Sequence, residues 1–565
     1  MTTKQPVGQR IPARPDFPVK WDDPNEEHLF WTHDRMHSPK PVSPIMGSLD
    51  LEAGFNIAAK AYDLPIRCYG RVFNTYHYTA IALATTDPEE LVATGERAQE
   101  KLRPIMVRLG EIWDTEMLPE VKEHLTYWDS FDLSRATMPD LLVHLDETFD
   151  RSARLWEIHF KIAMPFLMAM SMFDDFYRDL FGSQSAFDAF RLIQGFDNKT
   201  VEGDRVLWRL SQKALASSTV QAVLARQAAP DVVPALEQSA EGRAFLEELR
   251  AYLNEYGQRC ANSGGNFMDL AEPSWIEDPT PVIKNLKDYI MQPDRDLDAE
   301  LAKQAAERDR LLAETRERLR GYPEPVVSQF EVLLKAAQEA AVLTEDHDFW
   351  IDFRGTYRVR RVLVEFGRRL TDAGVLDSRD DVFYLAVDEL RETAAASPPI
   401  DRRELVAQRK AAIAHFRTIT PPPALGTQPP DGPPPNDPLG RAMGKFFGGP
   451  PQPPTEPGVL HGNPGSPGTA RGIAKVVRSL AEAAKLEPGD ILVAETTAPP
   501  WTPLFATVAA VVTDTGGILS HCAVVAREYG IPAVVGTGMA TAMIADGQTV
   551  EVDGTTGIVR VISPN

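Results

Sequence analysis

A large, mostly α-helical domain followed by a small α/β domain is the multidomain organisation to which this 565-residue chain points. Three observations carry it. Apolar residues recur at spacings of three and four through most of residues 1–395, as on the buried stripe of a helix. Proline then becomes abundant across 396–458, with 14 prolines among the 38 residues from Pro421 to Gly458. Beyond that, residues 459–565 consist of short β-branched runs separated by glycine turns.

The N-terminal stretch to about Pro44 is polar and punctuated by proline. Segments such as "EELVATGERAQEKLRPIMVRLGEIW", "MPDLLVHLDETFDRSARLWEIHFKIAM" and "SQFEVLLKAAQEAAVL" then read as amphipathic helices. Within this region Ile162–Phe173 is the most apolar run. It is too short to span a bilayer and is interrupted by Pro165, so a buried, methionine-rich wall is expected. The proline density of 421–458 suits neither a core helix nor a strand, which makes this stretch a linker with a small docked piece at "GRAMGKFFGG". As a flexible coil it spans roughly 35 Å, and as a polyproline helix about 120 Å.

The C-terminal domain contains the most informative stretch, "TDTGGILSHCAVVAREYGIPAVVG" from Thr513 to Gly536. Val508–Val512 before it and Ala533–Val535 near its end read as buried strands. Ser520 is a good N-cap for a short helix, Gly530 fits the position just past its end, and Pro532 forbids continuation. His521 therefore stands in the first helical turn, where backbone amides lack intrahelical partners and the macrodipole is positive. Phosphoryl oxygens are favoured at such a place. Gly516 and Gly517 permit close backbone approach, and Thr513 and Ser520 offer hydroxyls. The position by itself is equally compatible with a surface histidine on a capped helix.

Composition narrows the function classes. A net charge of −22 and a pI near 5.0 oppose binding to nucleic acid or anionic membranes, both of which need basic patches. Cys68, Cys260 and Cys522 are widely separated, so neither a disulfide framework nor a zinc spacing is read from them. With no apolar leader in the first residues, a reducing cytoplasm is the expected location. No metal-ligand set is assigned.

The segments "GSPGTARG", "LEPGDILVAETTAPPWTPLF" and "VVTDTGGILSHCAVVAREYGIPAVVG" resemble the swivelling phosphohistidine domain, the mobile domain of PEP-utilising enzymes such as phosphoenolpyruvate synthase, pyruvate phosphate dikinase and rifampin phosphotransferase. The resemblance covers nearly all of Val459–Asn565 and implies that His521 carries a phosphoryl group. Cys522 stands where many relatives have a small residue.

The helical region shows no strand–helix alternation of the ATP-grasp kind, and "GRAMGKF" is one residue short of a phosphate-binding loop and lacks its hydroxyl. The organisation resembles the acceptor and phosphohistidine subunit of phenylphosphate synthase-type dikinases. That implies a separate ATP-grasp subunit using Mg²⁺ and ATP, with neither bound tightly by this chain. It also implies a small hydroxylated acceptor such as a phenol or alcohol. Passage of the phosphate to another protein, or a scaffolding role, is the alternative.

For the acceptor step a base beside a cationic clamp is expected. "EDHDFWID" offers Glu345, Asp346, His347, Asp348 and Asp352, followed by four arginines, and also reads as a solvated face of ordinary ion pairs. The resemblance of this region, of Tyr256–Ile283 and of "HLFWTHDRMHSPKPVSPIM" near the N-terminus to the family's acceptor region makes His347 the leading base and Glu345 its partner or substitute. Gln194, Lys199, Arg259, Trp275 and Arg360 are candidate acceptor contacts. His159, on an apolar helix, is expected to be a satisfied core histidine.

Overall fold

The computed structural model describes residues 8–49, 51–85, 87–182, 185–260, 266, 269–430, 437–454 and 456–562. Helices dominate to residue 416, and an α/β unit follows from residue 459. Among the described residues, no helix is long and apolar enough to cross a membrane.

The axis of the helical body is the 44-residue helix Met138–Phe181. Thr137 and Asp140 form a reciprocal capping box at its start, and Gly182, with φ +61°, ends it. Helices Leu51–Ala61 and Glu324–His347 pack along it, closing one large core. A second core gathers helices Lys199–Ala216, Ala240–Tyr256 and Thr280–Ile290 around the fully buried Trp275. Helix Glu324–His347 continues through a π-helical segment, Asp348–Phe353, into helix Arg354–Asp372. A widened i→i+5 turn of this kind re-aims side chains and is frequent at functional sites.

Two features depart from the expected mostly helical domain and linker with one docked piece. The first is a five-stranded antiparallel sheet in the order Gln9–Arg10, Ala424–Gln428, Phe30–His33, Tyr76–Leu83, Ile66–Phe73. The hairpin at one edge of it turns at Asn74 and Thr75, whose φ values of +47° and +72° suit a tight turn between twisted strands. Phe17, Trp31, Phe73, Tyr78 and Leu425 fill the sheet's own core.

The second departure is that much of 396–458 is built into the fold. It supplies helix Arg403–Phe416, strand Ala424–Gln428 and helix Pro438–Phe447. That last helix, the expected docked piece, packs on Met138–Phe181, where Lys445 pairs with Asp174 and Asp175, and Arg441 with Asp175.

The C-terminal unit is an eight-stranded sheet with a parallel centre of Thr469–Val476, Ile491–Ala494, Ala510–Thr513 and Ala533–Val535. Side chains alternate between its faces. Leu492, Val511 and Val535 point toward helix His521–Tyr529, while Val493, Val512 and Val534 face Val550 and Val552. The helix is the crossover between the last two parallel strands, and Gly530 ends it in the left-handed conformation at φ +64°.

Candidate functional site

The C-terminal unit is seated on the helical body with His521 inside the joint. Glu345 lies near the end of helix Glu324–His347, and its Oε1 is 3.2 Å from His521 Nδ1. Its Oε2 accepts a hydrogen bond from Thr200 Oγ1 at 2.8 Å. Burial alone would raise the Glu345 carboxyl, but the His521 ring and the Thr200 hydroxyl outweigh it and hold the group below the ordinary range. An ionised carboxylate can only accept, so a proton sits on His521 Nδ1, and in the neutral ring this leaves the lone pair on Nε2. Nε2 lies 3.3 Å from Thr502 Oγ1, which can donate to it.

Around His521 the phosphate-binding candidates separate. Ser520 makes no capping hydrogen bond, contrary to expectation, and its buried Oγ has no partner among the described groups. It is a free hydroxyl one residue from the histidine. Thr513 is fully buried and donates to the Thr515 carbonyl at 2.8 Å, so it braces the glycine turn instead of facing a ligand. Gly516 adopts φ +106°, which favours glycine, and its carbonyl accepts from Asn463 Nδ2. The Gly517 amide donates to the Phe446 carbonyl at 2.8 Å, and a Cβ there would sit 2.2 Å from the Lys445 oxygen. Gly517 thus admits helix Pro438–Phe447, and its amide is not free for an anion.

His521 opens on a cavity of about 1940 Å³ bounded by the N-terminal sheet, the long helix, the end of helix Glu324–His347, helix Pro438–Phe447 and the C-terminal unit. Leu102, Phe55, Phe160, Met164, Leu167 and Phe446 contribute to its apolar wall. Two polar clusters also line it. In one, Asp34 takes His37 Nδ1 at 2.9 Å and lies 3.6 Å from His77 Nδ1, while Glu52 takes His77 Nε2 at 3.1 Å. Burial would keep both imidazoles neutral, but Asp34 and Glu52 reverse it, raising His37 and bringing His77 to about 10. In the other cluster, His159 Nδ1 lies 2.8 Å from Asp352 Oδ1 and His347 Nε2 lies 3.1 Å from Asp348 Oδ1. Burial depresses His159 and His347 to about 3 and raises both carboxyls. The cavity therefore has one imidazole pair pushed toward the cation and one pushed toward the neutral form.

Of the sequence candidates, Glu345 and His347 line the cavity with His521. The five proposed acceptor contacts do not. Lys199 pairs with Glu202, and its backbone amide binds Asp346. Arg259 is buried over the rings of Trp275 and Phe353, and Trp275 itself is core. Arg360 makes a two-pronged pair with Glu277 and donates to the Leu270 carbonyl. Gln194 borders the seam, where neighbouring Gly195 donates its amide to Glu528 of the C-terminal unit at 3.1 Å. His159 is a cavity residue, not the satisfied core histidine expected. Sequence reasoning singled out none of Asp34, His37, Glu52 and His77, although the N-terminal segment assigned to the acceptor region by resemblance, "HLFWTHDRMHSPKPVSPIM", contains Asp34 and His37.

Residues 159–345 match the family model described as the rifampicin phosphotransferase fourth domain, and 486–557 match the PEP-utilising enzyme mobile domain. Chondramide synthase of Chondromyces crocatus is 42% identical over 566 residues, covering 98% of this chain and 14% of that protein. The uncharacterized phosphotransferase YvkC of Bacillus subtilis is 32% identical over 72% of this chain and 47% of its own length. A rifampicin phosphotransferase of Streptomyces sviceus is 31% identical over 76% of this chain and 48% of its own length. The chain spans about half the length of the latter two and a small part of the first.

Proposed function

We propose, on the premise that the chain holds a rifampicin phosphotransferase fourth domain and a PEP-utilising mobile domain, that it is the phosphoryl-carrier and acceptor-binding part of a dikinase-type phosphotransferase. An ATP-grasp unit outside this chain, using ATP and Mg²⁺, charges His521. The C-terminal unit then swings on the segments flanking helix Pro438–Phe447 and presents the phosphoryl group to the cavity.

One observation carries this reading: the hydrogen bond from His521 to Glu345, made across the joint at the wall of a large apolar cavity. Glu345 keeps the proton on Nδ1, so Nε2 is the phosphorylated atom and the departing ring is neutral. The free Ser520 hydroxyl and the amides of the first helical turn face the region of the phosphoryl oxygens. In the acceptor step a hydroxyl oxygen forms the O–P bond and the P–Nε2 bond breaks, its electron pair returning to the ring. The hydroxyl proton passes to the His347–Asp348 side of the cavity. Its apolar walls suit a hydroxylated, largely apolar acceptor such as a phenol or an alcohol. Delivery to another protein is less favoured, because the seated His521 side chain is only 15% exposed.

The test charges the purified chain chemically with phosphoramidate, bypassing the ATP-grasp unit, and then adds phenols and alcohols. A phosphate monoester with matching loss of the acid-labile label supports the reading. Discharge to water and protein side chains alone overturns it.

A further inference from the structure

Beside the carrier histidine, the cavity wall gathers His159 from helix Met138–Phe181, His347 from the end of the following long helix, and Asp348 and Asp352 from the π-helical segment. One potential ligand atom from each lies within 4.8 Å of every other. We propose that these four side chains form a binding site for a divalent first-row transition cation, with Zn²⁺ preferred over Mg²⁺ because two of the four donors are imidazoles.

The spacing fits. Ligands held about 2.0–2.1 Å from one cation stand roughly 2.9–3.4 Å apart along the edges of an octahedron or tetrahedron. Two of the six separations stand close to those edges, 2.8 Å from His159 Nδ1 to Asp352 Oδ1 and 3.1 Å from His347 Nε2 to Asp348 Oδ1, and all lie within 4.8 Å. The orientation of His347 fits as well. Its Nδ1 donates to the Leu343 carbonyl at 2.7 Å, which fixes the tautomer and turns the Nε2 lone pair toward Asp348. Metal-binding imidazoles are set by this kind of outer hydrogen bond. A lone pair and a carboxylate oxygen 3.1 Å apart need either a proton or a cation between them.

Asp352 provides a second, independent sign. The residue is 1% exposed, its Oδ2 meets no N–H or O–H donor of the ordinary kind among the described groups, and the carboxyl beside it is a second acid, Asp348. A buried carboxylate oxygen without such a donor is costly, and a cation removes that cost. The π-helical segment explains how carboxylates from positions 348 and 352 come to share one face with His347. All four side chains border the cavity, so a coordination position is left open to it, as in catalytic metal sites.

Cation binding does not depend on the phosphoryl-transfer reading, but the role of the cation does. A filled site lowers the pKa of a coordinated acceptor hydroxyl, whose proton then leaves to water in the cavity instead of to His347 Nε2.

The test uses the full chain, stripped with a chelator and titrated with Zn²⁺ by calorimetry. Co²⁺ then replaces Zn²⁺, and its visible spectrum reports the ligands. One equivalent per chain is expected, weakened at least about 30-fold in both Asp352→Asn and His159→Ala, with far-ultraviolet circular dichroism confirming that each variant is folded. Absence of stoichiometric binding overturns the proposal. So does binding that survives both substitutions, or that is lost instead in His37→Ala. Discharge of the phosphoramidate-charged chain to phenol, with and without Zn²⁺, separates the two readings. Zinc binding without an effect on a working transfer removes the cation from the acceptor step. Failure of transfer to any hydroxyl, with stoichiometric binding intact, removes the function proposed above and leaves the site.

Discussion

Replacing Glu345 with Gln is the most direct perturbation of the joint. The side chains are nearly the same size, so the packing around this buried position is kept. What changes is the hydrogen bond. An ionised carboxylate accepting the His521 Nδ1 proton makes a bond contributing about 1.5–3 kcal/mol, against about 0.5–1.5 kcal/mol for a neutral pair. The difference, roughly 1–1.5 kcal/mol, corresponds to about five- to fifteen-fold in rate. A glutamine can also turn its amide and donate to Nδ1, holding the ring in the form that is a poor leaving group, so roughly tenfold is a lower figure. Charging by a small phosphoramidate does not need the joint closed, because the reagent reaches the carrier while the unit is swung out. We therefore expect Glu345→Gln to charge within about twofold of the parent, as read by acid-labile label. It should discharge to a phenol at least about tenfold more slowly, as read by ³¹P NMR. Unchanged discharge, or equal losses in both steps, would show that Glu345 does not govern the Nδ1 proton.

Four further expectations follow from the same geometry. His521→Ala should remove the acid-labile label while circular dichroism is unchanged. Ser520→Ala should retain both label and thermal midpoint but slow discharge, because its hydroxyl makes no capping bond; a midpoint lowered by several degrees would restore the capping role. Gly517→Ala forces a Cβ to 2.2 Å from the Lys445 oxygen, so small-angle scattering should show a larger radius of gyration with both domains still folded. An unchanged radius would mean that this contact is not needed for seating. Closure should also depend on pH through Glu528, which burial raises from 4.5 to about 7 against the Gly195 amide and Arg527. A carboxyl raised on seating favours the closed state fully below its ordinary pKa, and that preference is lost as pH rises through about 7. Asp204, raised to about 6 beside Tyr529, acts in the same direction. A distance label across the joint should report opening between these limits and a flatter profile in Glu528→Gln; an unchanged profile in that variant would discount this group.

The local structure around His521 was legible because its signals are local. The β-branched run, the glycine turn, His521 at a helix start, and Gly530 with Pro532 after it all lie within 30 residues. The acceptor half is assembled from distant segments, and there local reasoning failed in a consistent way. Arg259 and Arg360 looked like free cations, but Trp275 and Glu277 already engage them. His159 looked like a core residue because its partner, Asp352, lies 193 residues away. The five-stranded sheet was missed for a mixed reason. The hairpin around Asn74–Thr75 had the alternation and turn of a standard signal, but its neighbours come from residue 30 and residue 424. Strand Ala424–Gln428 lies between two proline clusters, a composition that conceals a central strand.

The contacts between helix Pro438–Phe447 and the glycine turn are made by backbone on both sides: Gly517 N–H to the Phe446 oxygen, and Leu519 N–H to the Lys445 oxygen. Such bonds are indifferent to side-chain identity, apart from the need for glycine at one position. Substitutions that reshape the cavity for a new acceptor leave this fastening untouched, and changes along the helix alter its grip on the long helix without altering its hold on the carrier. Divergence in what the protein modifies can therefore proceed without re-evolving how the carrier comes to rest.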